Sequence, residues 1–304
     1  GMYNMNTQVA AIAMHSIMGD VDSNLSRISD WMQKAHTRGA SFAVFNEECI
    51  TGSMNKSDLT FQQAMEIAEH ASEKSMPFLE SLCRDLNMTA IVGTIEPAGK
   101  RLLNSALIVG PNGYLNTYSK LHLPNQTEKE WFKVGSHLPV VTSQEWTFGV
   151  GICYDLSFPE IFRTAAQHGA ELFFIPVGGG FDTAVGGSRI FEKFPEILHT
   201  GDQSRQAKSD IEGVMRLLPS RSIDNGMYVF SANQAGHSGN AWFPGYCIAI
   251  APDGYVVGKH DTGEEGMILV EVSKRAVENA KDSINSTIRP DVYAAPMIVD
   301  NPEC

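Results

Sequence analysis

Short apolar runs alternate with longer segments whose apolar residues recur at helical spacing. Val9 to Met14 predicts a buried strand, Asn24 to His36 a helix, Phe42 to Phe45 a second strand, and Phe61 to Leu86 a long helix. Ala90 to Thr94, Ser105 to Val109 and Tyr114 to Tyr118 read as strands. Pro111-Asn112-Gly113 turns the chain between the last two, which suggests a hairpin. Thr147 to Ile152 is a further strand that ends just before Cys153. Pro159 to His168 follows as a helix and Leu172 to Ile175 as a strand. Tyr228 to Ala232, Tyr246 to Ala251 and Met267 to Val272 complete the strand pattern, with Pro252-Asp253-Gly254 as a second turn.

Residues 177–220 break this rhythm. They open on Gly178-Gly179-Gly180, include Gly186-Gly187, and carry one helical pattern near their end. Long irregular stretches of this kind tend to be functional. There is no internal repeat, low-complexity segment or linker, so one domain over residues 1–304 is expected. Gly1 ahead of Met2 reads as a cloning remnant. Helices recurring between strands, mixed with hairpin turns, predict stacked sheet and helix layers of the α/β class.

Composition narrows the classes further. The 304 residues are 43% hydrophobic and 19% charged, ordinary for a soluble globular chain, and long enough to bury a sizeable core. A formal net charge of −12 argues against nucleic acid and anionic membranes as partners. No apolar run is long enough to span a bilayer, and the first residues lack the blocks of a signal peptide. The five cysteines, Cys49, Cys83, Cys153, Cys247 and Cys304, are scattered and form no CxxC pair. That disfavours a disulfide framework or a cysteine-rich zinc site and fits a reducing cytoplasm.

Four local features could carry chemistry. Glu47, in Phe45-Asn46-Glu47-Glu48, follows an apolar strand, where a carboxylate is either a rigidly held acid–base group or simply solvated. Lys120, in Tyr118-Ser119-Lys120-Leu121-His122-Leu123, is either a fixed positive charge or a lysine that snorkels to water. His122 reads as a packed, hydrogen-bonded residue. Cys153, in Gly151-Ile152-Cys153-Tyr154-Asp155, stands where an apolar strand gives way to a helix. It is either a buried structural thiol or an exposed nucleophile near helix-start N–H groups. Arg221 and Asp224, ahead of Tyr228, read as structural pairs. The glycine-rich GGGFDTAVGGS lacks the Gly-Lys-Ser/Thr ending of a phosphate-binding P-loop.

Taken together, these segments resemble the carbon–nitrogen hydrolase (nitrilase) superfamily. FNEECITG is similar to its F-P-E-x-x-x-T-G motif, YSKLHL to Y-x-K-x-H-L, and GVGICYDLSFPE to G-x-x-x-C-Y-D-x-R-F-P-E. Asn104-Ser105-Ala106, Pro111-Asn112-Gly113, RSIDNGMYVFSANQAG and Ile288-Arg289-Pro290-Asp291-Val292-Tyr293 resemble flanking family elements along most of the chain. Glu128-Lys129-Glu130-Trp131-Phe132-Lys133-Val134-Gly135 resembles a segment that carries a further glutamate.

The resemblance implies a four-layer αββα sandwich that dimerises or assembles further, with Glu47, Lys120 and Cys153 as a catalytic triad and Glu128 as a fourth carboxylate. Cys153 would attack a carbonyl carbon after Glu47 takes its proton, and Lys120 with the Tyr154 backbone N–H would hold the oxyanion. No metal or organic cofactor is called for. The expected substrate is a small linear non-peptide amide. An N-carbamoyl amino acid is the close rival. A nitrile is less expected, because Cys153 precedes Tyr-Asp where nitrilases carry Trp-Glu. A catalytically silent scaffold is the non-enzyme alternative.

Three departures matter. Asn46 replaces a proline, which should alter only local backbone stiffness. Ser157 replaces an arginine that helps hold acidic substrates in some branches, a loss that Arg189 or Arg205 could offset. The 177–220 segment is a variable insertion expected near the pocket.

Overall fold

The computed structural model describes residues 6–182 and 211–293. Two six-stranded sheets form its centre. The first has the order β15-β1-β2-β3-β4-β5, and the second β14-β13-β10-β8-β7-β6. In the first, β1 (Thr7–Ala13), β2 (Ala40–Val44) and β3 (Thr89–Ala98) run parallel, while β4 (Arg101–Gly110), β5 (Gly113–Ser119) and β15 (Gly266–Val272) add antiparallel edges. In the second, β7 (Trp146–Val150), β8 (Leu172–Val177) and β10 (Tyr228–Asn233) are parallel. They are flanked by β6 (Val140–Ser143), β13 (Cys247–Ile250) and β14 (Val256–His260). A small third sheet joins β11 (Ala235–Ser238), β12 (Ala241–Pro244) and β9 (Phe181–Asp182).

The period of two along β1 explains the layering. Val9, Ala11 and Ala13 face a core shared with Phe148, Phe174, Phe230 and Ala249 of the second sheet. Ala10 and Ile12 face the other way, onto Leu25, Ile28 and Met32 of α1 (Val21–Thr37) and Leu79 and Cys83 of α2 (Phe61–Leu86). The second sheet does the same. Phe173, Ile175, Val229 and Ile248 turn outward onto Ile161 and Phe162 of α4 (Pro159–Gln167) and Leu218 of α5 (Leu218–Ile223). Strands covered on both faces read as nearly continuous apolar runs, which is why they were visible in the sequence. The result is the expected αββα stack. Phe42, Phe148 and Phe174 lock its centre, two of the contacts being edge-on at 5.8 and 5.3 Å.

The helix expected over Pro159 to His168 is α4, Pro159–Gln167, with Pro159 in its first turn; a 3₁₀ turn, Cys153–Ser157, fills the stretch between β7 and it. Other expectations need correction. The Arg221 guanidinium donates to the Leu156 carbonyl at 3.0 and 3.1 Å instead of pairing with Asp224. Five strands (β6, β9, β11, β12 and β14) and three helices, α3 (Gln126–Trp131), α6 (Lys274–Asn285) and α7 (Pro290–Tyr293), were not read from the sequence, most of them being short or half exposed. Most of the 177–220 segment lies outside the described residues, as do Gly1, Arg189, Arg205 and Cys304. Among the described residues, Cys49, Cys83, Cys153 and Cys247 are free, and no helix is long and apolar enough to cross a membrane.

Candidate active site

The four expected side chains leave the C-terminal ends of strands or the loop beside them. Crevices outside the carboxyl ends of parallel strands are the usual ligand sites of open α/β sheets. β2 ends at Val44, and Phe45 keeps one sheet-like bond, its N–H donating to Ile91 O at 3.0 Å. Glu47 follows, its N–H donating to Val177 O at 3.1 Å, so the loop is tied to the end of β8 in the opposite sheet. Gly93 of β3 has to be glycine: a Cβ there would meet Asn46 O and Glu48 N at 2.5 Å. That close approach fixes where Glu47 points.

Asn46 does more than alter stiffness. Its buried Oδ1 accepts the Met14 N–H at 3.1 Å, bonding the Glu47 loop to the end of β1. Sequence reasoning missed this because it treated position 46 as a weakened proline.

Lys120 is placed by the main chain on both sides. Its N–H donates to Asn104 O at 2.8 Å, and its carbonyl accepts from Gly135 N at 2.9 Å. The side chain is 2% exposed. Its Nζ donates to Glu47 Oε1 at 3.0 Å and to Glu128 Oε1 at 2.9 Å. Glu128 sits in the first turn of α3, where the Asn125 side chain accepts its N–H at 2.9 Å. A buried ammonium between two carboxylates is the arrangement in which each charge offsets the desolvation of the others.

Asn104 is the residue the sequence named only as a family element. Its Nδ2 donates to Glu47 Oε1 at 2.7 Å. Lys120 and Asn104 therefore both use Oε1, and Oε2 receives no hydrogen bond within the described residues. Oε2 is the oxygen that packs against Gly178, where a Cβ would lie 2.8 Å from it.

Cys153 stands at the end of β7, two residues past Gly151, with φ of 47°. This left-handed conformation is costly for a residue with a Cβ and marks a turn held by its surroundings. Asp155 supplies much of that hold. Its fully buried carboxylate accepts the Ile152 N–H at 2.9 Å, the His122 N–H at 3.1 Å, the His122 Nδ1 at 2.7 Å and the Tyr118 hydroxyl. His122 also stacks on Phe158 with ring centroids 3.6 Å apart, matching its reading as a packed residue. Because Tyr118 and His122 flank Lys120, Asp155 ties the cysteine turn to the lysine strand. Cys153 is half-buried, and the Gly178 backbone N–H donates toward its sulfur.

Burial and the neighbouring charges set the protonation states. Burial pushes the Cys153 thiol up, and the Glu47 carboxylate pushes it further, so the sulfur keeps its proton at neutral pH. Burial works to raise Glu47 as well, but Lys120, Lys56 and the hydrogen bonds from Lys120 and Asn104 outweigh it and hold Glu47 below its ordinary value. Lys120 is pushed up despite its burial by Glu47, Cys153 and Glu128. Glu128 is raised, chiefly by burial. The site thus pairs an ionised carboxylate with a protonated thiol beside a fixed cation. Tyr154 is exposed, and its N–H stands in the first turn of the 3₁₀ segment, where N–H groups have no partner within the turn. Within the described residues, no three His, Cys, Asp or Glu side chains form a metal-holding group.

Comparison with known proteins identifies the family and the fold. Residues 8–282 match the family described as Carbon-nitrogen hydrolase. The chain is 27% identical over 276 residues to a nitrilase of Pyrococcus abyssi, covering 90% of this chain and 92% of the relative. It is 25% identical over 303 residues to an omega-amidase of Saccharomyces cerevisiae, covering 94% of each. The amidase from Nesterenkonia sp. AN1, solved as a double mutant in complex with acrylamide, superposes with a TM-score of 0.71 at 20% identity. That match covers 94% of this chain and 98% of the other.

Proposed function

The chain belongs to the carbon–nitrogen hydrolase family and is a hydrolase of C–N bonds outside peptides; we propose that it cleaves a small linear carboxamide through a thioester on Cys153. The observation that carries this reading is the Glu47 carboxylate. It is ionised, held on Oε1 by Lys120 and Asn104, and has Oε2 left toward Gly178, whose N–H serves Cys153.

In the proposed sequence, the substrate carbonyl enters beside Cys153. The sulfur attacks its carbon as the thiol proton passes to Glu47 Oε2. Negative charge moves to the carbonyl oxygen, where Lys120 and the Tyr154 N–H stabilise it. Collapse expels the amine or ammonia, which leaves with the proton that Glu47 returns. A water then gives its proton to Glu47 and attacks the thioester carbon. Collapse of that second intermediate expels the Cys153 thiolate, which recovers the proton from Glu47 and releases the acid. Glu128 keeps Lys120 in place through both halves.

An ammonia-release screen across short aliphatic amides, N-carbamoyl amino acids and nitriles tests the reading. Release from amides supports it. Release from nitriles or carbamoyl compounds with none from amides overturns it.

A further inference from the structure

Lys120 is committed to Glu47 and Glu128, but a second ammonium reaches the same centre. Lys56 ends the 3₁₀ turn Met54–Lys56. Its main chain is clamped by the hairpin between β11 and β12: Asn240 N–H donates to Lys56 O at 2.7 Å. Gly239, with φ of 60°, lies so close that a Cβ would be 2.5 Å from that oxygen. The side chain passes the Phe243 ring, 5.3 Å from its centroid, and Nζ donates to Gly178 O at 2.8 Å. Gly178 is the glycine that packs on Glu47 Oε2 and whose backbone N–H faces the Cys153 sulfur. Lys56 is thus a cation fixed at both ends, one residue removed from the reacting groups.

Its remaining N–H groups have no acceptor among the described residues. Lys56 lines a cavity of about 250 Å³ together with Asn55, Ser57, Asn125, Thr127 and Asn240. Lys56 is the one charged side chain among the described residues of that lining. Asn125, whose side chain caps the helix that carries Glu128, lines the cavity as well. Asp58 is nearby, but its Oδ1 already accepts Asn240 Nδ2 at 2.9 Å. A single ammonium surrounded by neutral amides and hydroxyls suits one carboxylate. A phosphate would call for more cationic donors.

We propose that Lys56 sets substrate choice by receiving a carboxylate carried on the same small molecule as the scissile amide. This rests on the amidase reading above and narrows it to anionic amides.

The test compares succinamate with butyramide, which differ only in a terminal carboxylate against a methyl. Wild-type protein is expected to prefer succinamate in kcat/KM. In Lys56→Gln that preference falls by at least about tenfold, chiefly through KM for succinamate, and Lys56→Arg restores part of it. Any loss due to the effect of Lys56 on Glu47 is shared by both substrates and cancels in the ratio. An unchanged ratio in Lys56→Gln, or a wild-type preference for butyramide, overturns the proposal while leaving the amidase reading intact. Hydrolysis of neither amide by the wild type overturns both.

Discussion

Glu47 and Glu48 are consecutive, each 3% exposed, and their carboxyls are driven in opposite directions. Glu47 is held below its ordinary value because the Lys120 and Lys56 charges and two hydrogen bonds overcome its burial. Glu48 is pushed well above the ordinary 4.5, first by burial and then by the Glu47 charge beside it. Its Oε2 is buried without a hydrogen-bond partner, and its φ is 56°. One carboxylate is kept ionised, and its neighbour is kept neutral so that the loop buries one negative charge instead of two.

That asymmetry has a pH signature. The folded chain keeps a proton on Glu48 that the unfolded chain releases above about pH 4.5. This contribution to stability therefore falls as pH rises from there toward the raised value. The slope for one proton is about 1.4 kcal/mol per pH unit. Glu48→Gln removes the titration. Urea unfolding at pH 5, 6 and 7 should show the variant gaining on the wild type as pH rises. A difference that stays constant across the three would contradict the assignment.

Lys120→Met leaves Glu47 and Glu128 buried without their shared cation. Breaking a buried ion pair from one side costs about 3–5 kcal/mol. The same change removes the charge that keeps Glu47 ionised. Chemical denaturation should report the lost stability, and amide turnover should fall below a thousandth of wild type. Loss of activity with stability unchanged would mean that the cation is not part of the packing.

Selective alkylation follows from burial. Cys49 and Cys83 are buried with thiols pushed up to about 12 by desolvation, and Cys247 is buried as well. Cys153 also holds its proton, but Glu47 is placed to remove it. Iodoacetamide on the native protein should modify Cys153 and spare Cys49, Cys83 and Cys247. Glu47→Gln should slow that modification at least about tenfold. Equal labelling rates in the two proteins would remove Glu47 from the base role.

Asp155 tests whether the cysteine turn is positioned from the lysine strand. Asp155→Ala deletes the acceptor for Tyr118, His122 and Ile152 together. The expected cost is about 3 kcal/mol, since it leaves buried donors unpaired. kcat should drop with KM less affected, because the groups that move are the reacting ones. A variant that is less stable but retains full kcat would show that Asp155 only supports the fold.

Much of this candidate site was legible because Glu47, Lys120 and Cys153 each follow an apolar strand. Glu47, Lys120 and Cys153 stand one to three residues past β2, β5 and β7, strands that are hydrophobic enough to be seen. α2 was readable to its ends, since Thr60 and Gln63 form a capping box and Asn87 closes the helix in the left-handed conformation. Glu128 was reachable only through family resemblance, because α3 is six residues long and carries no apolar stripe. α6 was invisible for a different reason: Val277 is its one buried residue, so no apolar stripe marks it. β14 is an exposed edge with little alternation. Lys56 sits among Ser, Asn and Asp and reads as a plain loop. Its place depends on Gly178 and the β11–β12 hairpin, more than a hundred residues away in sequence.

The central claim is that Cys153 forms the bond to substrate. Steady-state ammonia release by pure Cys153→Ala, with folding checked by thermal unfolding, measures it most directly. The account predicts a folded protein whose turnover is reduced about 10⁴-fold or more. Turnover within tenfold of the wild type on the same amide would contradict it.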